Sequence, residues 1–158
     1  MKTIRFAVAA LGFSFISVAS WAQNTAPAFT AYLGVKDALV STDAAKAKMQ
    51  ATTLADALNK VDAAKLSASD KKALAMAKNH AAAISKTTDV DNQREEFDML
   101  SSSMITLTKS TKPAKAYVLF CPMAAGGKGA SWISDKSEVR NPYFGQKMLK
   151  CGSVKEEI

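Results

Sequence analysis

Four sulfur atoms carry the densest chemistry in this chain, in the segments Cys121-Pro122-Met123 and Met148-Leu149-Lys150-Cys151. Thiolates and thioethers together are the donors that a soft ion prefers, Cu(I) or Ag(I) rather than Mg²⁺ or Ca²⁺. On a strand, residues two apart point to one side, which would put the Cys121 and Met123 sulfurs on a common surface. On a helix, residues three apart share a face, which aligns Met148 with Cys151. A short strand packed on a short helix would gather all four into a site less suited to Zn²⁺, which favours Cys and His. The same two cysteines also read as a disulfide, since exported proteins often join such pairs. Closing that loop stabilises a fold by about 3–4 kcal/mol on the chain-entropy argument. The two readings are not exclusive, because a reducible disulfide can alternate with a thiolate site.

His80 is the single histidine, with Met76 one helical turn before it. Such a pair can chelate copper, but the position first suits a partly buried helix residue with a satisfied hydrogen bond. Nothing nominates an enzyme. There is no Ser–His–Asp set and no C-x-x-C motif, and Gly126, Gly127 and Gly129 do not open a nucleotide-binding helix.

The N-terminus sets the expected compartment. Lys2 and Arg5 precede a mostly apolar run from Phe6 to Val18, and Ser20 and Ala22 occupy the −3 and −1 positions of a signal-peptide cleavage site. Cleavage after Ala22 would give a periplasmic protein of 136 residues beginning at Gln23, enough for one domain. No later stretch approaches the roughly 20 apolar residues of a membrane span. The full chain has 21 basic and 14 acidic residues, a formal charge of +7 that becomes +5 without Lys2 and Arg5. The basic residues are scattered, without the aromatic-interleaved stripe of a nucleic-acid binder.

Positioning these sulfurs falls to a mainly α chain, read as an antiparallel four-helix bundle (28–110) and a small appendage (113–158) in a single domain of 23–158. Apolar periodicity predicts a helix over 28–40 with Phe29, Tyr32, Val35 or Lys36, and Leu39 inward. A second helix, over 44–61, follows the break at Ser41, Thr42 and Asp43, with small alanines on its inner face. Ser67 to Asp70 opens a third, reaching Lys86. Asp89 or Asp91 caps a fourth, reaching Lys109, whose inner face includes the polar residues Gln93 and Ser101. These two and Arg94 are expected to hydrogen-bond the appendage, because buried polar groups need partners. Past Pro113, residues 116–120 and 131–134 read as short strands around a glycine loop. Asn141 and Pro142 read as the cap and first turn of a last helix, to about Lys150, with Gly152 ending it.

Four segments carry a resemblance: Gln93–Met104 (QREEFDMLSSSM), Tyr117–Ala124 (YVLFCPMA), Gly129–Ser134 (GASWIS) and Val139–Val154 (VRNPYFGQKMLKCGSV). Together they resemble the bacterial periplasmic domain of unknown function 3347 family, and Ala31–Ala47 is similar to its N-terminal helix pair. That family also occurs as a C-terminal module on adaptor subunits of copper/silver efflux pumps. The resemblance implies handling of heavy metal, chiefly copper, and a partner in a heavy-metal efflux adaptor or pump. It carries Cys121, Met123, Met148 and Cys151 over as the matching positions. Phe120 stands where family members often place a polar residue or histidine, so no nitrogen donor is implied there. The chain lacks the barrel, lipoyl and hairpin regions of an adaptor itself. The alternative is a disulfide-stapled helical interaction module docking on an envelope partner, without metal.

Overall fold

The computed structural model describes residues 20–158, with side chains from residue 25. The expected signal peptide therefore lies outside the described residues, apart from the backbone of 20–22. Four helices come first: α1 (Ser20–Val40), α2 (Ala44–Asn59), α3 (Ala68–Ile84) and α4 (Val90–Thr111). A small antiparallel sheet follows, made of β1 (Tyr117–Cys121), β2 (Ala130–Ser134) and β3 (Ser153–Glu157) in the order β2-β1-β3. The protein is thus mainly helical with a three-stranded sheet at its C-terminal end. No helix among the described residues is long and apolar enough to cross a membrane.

Local chemistry sets the helix ends. Asp43 accepts from the Lys46 N–H, Ser67 from Asp70 and Asp89 from Asp91 and Asn92, so each supplies an oxygen to first-turn donors that lack intrahelical partners. Asp70 is buried and also accepts from Ser110 Oγ at 2.8 Å, which ties the start of α3 to the end of α4. Lys112 ends α4 in a left-handed conformation just before Pro113. At the other end, the expected start after Pro27 is too late, since α1 runs through that proline. There Thr25 Oγ1 donates to Thr111 Oγ1 at 2.8 Å and holds α1 to the end of α4.

The predicted inner faces are the buried ones: Phe29, Tyr32, Val35 and Leu39 on α1; Ala47, Ala51, Leu54 and Leu58 on α2; Ala73, Leu74, Ala77, Ala81 and Ile84 on α3. Both Val35 and Lys36 are buried, and Lys36 Nζ reaches Asp37 at 2.9 Å, which satisfies the charge. On α4, Phe97, Leu100, Met104 and Leu107 form one core with Leu119, Trp132 and Ile133 of the sheet.

A rod of aromatic rings joins helices to sheet. Tyr32 stacks on Phe97 at 5.3 Å, Phe97 meets Tyr143 at 5.7 Å, and Tyr143 meets the edge of Trp132 at 6.0 Å. The Tyr32 hydroxyl is fully buried, lies 2.7 Å from Ser101 Oγ and accepts from the Ile133 N–H at 3.1 Å. Ser101 therefore bonds Tyr32 of α1 rather than the appendage and reaches the sheet only through it, whereas Arg94 meets the appendage as expected, donating from Nε to the Pro142 carbonyl at 3.0 Å. Gln93 does not: its amide donates to the carbonyls of Ala44 and Thr87 and joins two interhelical corners instead. Converting Tyr32 to Phe keeps the ring but strands the Ile133 N–H, and should cost about 1–3 kcal/mol. Urea unfolding of the variant checks this, and an unchanged midpoint would contradict it.

Candidate functional site

Cys121 closes β1, the central strand, where it pairs with Ala130 of β2 and is fully buried. Cys151 is partly exposed and lies in irregular backbone just before β3. Their Sγ atoms are 2.8 Å apart and both are free thiols. Two segments thirty residues apart in sequence are thus brought together at their reactive atoms, as the spacing argument requires of these two residues.

The path by which Cys151 arrives differs from expectation. No helix runs from Pro142 to Lys150. Asn141 does cap, its Oδ1 accepting from the Tyr143 N–H at 2.8 Å and the Phe144 N–H at 3.3 Å. Gly145 then adopts φ +56°, which ends any helix at once, and a single 3₁₀ turn over Gly145–Met148 follows. A side chain at Gly145 would also collide with Thr42 Oγ1 and Arg94 Nη2, so this turn is pressed directly onto the α1–α2 corner. Asn141 finishes the job by donating from Nδ2 to the Cys151 carbonyl at 2.9 Å. Gly152, at φ +135°, lets the chain pass the Phe120 carbonyl and the Trp132 ring, where a Cβ would come within 2.9 Å of each.

The methionines are placed differently from the cysteines. Met123 is not on the strand, which stops at Cys121; it has helical dihedrals and is 55% exposed. The two-apart rule that would have aligned it with Cys121 therefore does not apply, because Pro122 turns the chain. Met148 is partly exposed, and its carbonyl accepts from the Cys151 N–H at 3.0 Å. Met148 is thus joined to Cys151 through backbone, while the two cysteines meet sulfur to sulfur. The hydrogen bond with Cys121, then burial, raises the Cys151 thiol above its ordinary pKa, opposed by the Met123 N–H.

His80 is no part of this site. Its Nδ1 lies 2.7 Å from Glu96 Oε2, a helix-to-helix pairing of the ordinary structural kind. Among the described residues no three His, Cys, Asp or Glu side chains assemble into a metal-binding group. Any ion at the thiols would depend on the two cysteines and on thioether donors.

The donor types fit a soft ion, and the spacing sets a condition on it. An ion holding two thiolates tetrahedrally at about 2.3 Å separates them by about 3.8 Å, wider than the 2.8 Å seen here. A disulfide needs about 2.05 Å. Cys121 is fully buried and paired with Ala130 of β2, whereas Cys151 is partly exposed outside the strands, so Cys151 is the partner that must shift in either case.

What sequence reasoning missed is β3 and the half-sheltered Asp98 of α4. Strand β3 (SVKEE) is exposed at every position, so it has no apolar alternation to betray it.

One family model matches residues 28–116, with the description Protein of unknown function (DUF3347). No curated protein and no solved structure matches the chain.

Proposed function

Because this chain belongs to the family described as Protein of unknown function (DUF3347), a description that assigns no activity, we propose a function from its own residues: capture of a soft monovalent metal ion, Cu(I) or Ag(I). Cys121 and Cys151 are the anchors, and the Met123 and Met148 thioethers are the exchangeable donors. The single observation behind this reading is the meeting of two free thiols at 2.8 Å, one buried and rigid and the other at the surface. A buried anchor retains an ion and an exposed one admits ligand exchange, the combination that transfer to another protein needs. We place the protein in the periplasm after cleavage behind Ala22, with a heavy-metal efflux adaptor or pump as recipient. We read α1–α4 as an antiparallel four-helix bundle that acts as scaffold, and assign the protein no enzymatic activity.

Anaerobic titration with Cu(I) against a competing chelator tests the proposal. About one ion per chain is expected, falling to none when Cys121 and Cys151 are both replaced by serine. Because the raised Cys151 thiol is protonated at neutral pH, binding releases protons and the apparent affinity should rise with pH. Retention of a tight site in the double variant would refute the reading.

The second reading is the disulfide-stapled interaction module. The closeness of the sulfurs favours it, since 2.8 Å is nearer to a covalent pair than to a bridging ion. Thiol counting separates the two: the module predicts no titratable thiol in exported protein, the metal site predicts two.

A further inference from the structure

A groove of about 470 Å³ lies between α4 and the turn that follows Met123, within the size range of small-molecule sites. Its α4 wall presents Arg94, Glu95 and Asp98, its opposite wall is the turn over 124–126 with Lys128, and Tyr143 and Phe144 supply aromatic surface. The Arg94 guanidinium is already committed, donating to the Pro142 carbonyl and to Thr42 Oγ1 and lying 3.5 Å from Asp91. Asp98 is the reverse: half-sheltered, it has no hydrogen bond or ion pair with any described residue, and burial lifts its carboxyl above the usual range. Glu95 stands beside it, exposed. Of the uncommitted charges, two are negative and one, the exposed Lys128, is positive.

The turn on the far wall is unusual. Ala125 takes φ +50°, a conformation that costs a residue with a Cβ about 1–2 kcal/mol, and Gly126 and Gly127 continue in the same region. It is held by the Gly129 N–H donating to the Ala124 carbonyl at 3.0 Å. A Cβ at Gly126 would meet nothing within 4 Å, so the space beside the turn is open.

We propose that this groove binds a small organic cation, a protonated amine on an aromatic or apolar body, with the ammonium on Asp98 and the body against Tyr143 and Phe144. An unpartnered, partly desolvated carboxylate gains more from a cation than an exposed one does. Phe144, partly exposed, and the largely buried Tyr143 line the same groove and give an apolar body a surface to rest on. An anion finds no such welcome, because the guanidinium is spent on backbone and Thr42. This site goes beyond metal capture and does not depend on it.

Phenethylamine titrated into the full chain, followed by amide NMR, tests the assignment, with 2-phenylethanol and phenylacetate as the neutral and anionic counterparts. Saturable shifts are expected at residues 94–98, 124–128 and 143–144 with the amine alone. Asp98→Asn should weaken the amine about ten-fold or more, the worth of one charge-assisted hydrogen bond. No saturation by the amine at up to about 10 mM, weaker than nearly any specific contact, would overturn the proposal. So would equal binding of 2-phenylethanol, or unchanged affinity in a folded Asp98→Asn chain. Should that variant unfold, the comparison of amine with alcohol on the native chain still decides.

Discussion

Truncating Phe97 to alanine should lower stability by about 3–5 kcal/mol, the largest effect expected of any single change here. Phe97 is fully buried, stacks on Tyr32 and tilts against Tyr143. Its loss therefore opens a void at the middle of the aromatic rod that holds the sheet on the helices. The void borders large rigid rings, which collapse poorly into vacated space, so the upper part of the range applies. Against a typical total of about 5–15 kcal/mol, this leaves a marginal protein. Equilibrium denaturation checks it, and a loss under about 1 kcal/mol would show that the rod is not what joins the two parts. A Phe97→Leu variant, which refills most of the volume, should recover over half of the loss.

The second large effect is at Asn141, which is fully buried and spends both ends of its side chain. Its oxygen accepts from Tyr143 and Phe144 and its nitrogen donates to the Cys151 carbonyl. Asn141→Ala should cost about 2–4 kcal/mol, the sum of lost hydrogen bonds and of backbone groups left buried without partners. It should also act at a distance that stability alone does not capture. Releasing the Cys151 carbonyl frees that residue from its register with Cys121, so the rate at which a thiol reagent labels Cys151 should rise well beyond the change in global unfolding. Asn141→Asp, which keeps the acceptor but loses the donor, should restore the turn and leave Cys151 fast. Equal labelling rates in all three proteins would remove Asn141 from the account of the site.

Much of this architecture is legible in the amino-acid order, for reasons tied to particular residues. Asp43, Ser67 and Asp89 sit just before apolar periodicities, and each is a cap whose side chain accepts from a first-turn N–H. The run ending in Cys121 and the SWIS segment pair in the sheet because both are flanked by turn formers and rich in residues that fill a pleated face. Where reading fails, the signal is either absent or ambiguous. Strand β3 is added through backbone pairing with β1, anchored by mutual bonds between Ala116 and Ile158 and by Lys109 on Glu156, and no side-chain pattern announces it. The Asn-Pro pair is a sound cap signal, yet it cannot say how long the capped turn lasts; Gly145 decides that, through contacts with Thr42 and Arg94 that lie far away in sequence. Gln93 shows the same limit, since a polar residue on an inner face announces that it needs partners but not which ones.

At the site itself, the two cysteines are the donors whose meeting is legible in the chain, and their sulfurs lie 2.8 Å apart. The two-residue spacing of Cys121 and Met123 suits a strand, but Pro122 intervenes and the chain turns away there.

Copper K-edge absorption on the Cu(I)-loaded, anaerobically prepared chain tests the central claim most directly. A first shell made only of sulfur is expected, at about the 2.3 Å typical of a metal–thiolate bond, and it should disappear with Cys121 and Cys151 both changed to serine. A shell dominated by nitrogen or oxygen, or a spectrum identical in the double variant, would contradict the assignment of this thiol pair as the metal's anchor.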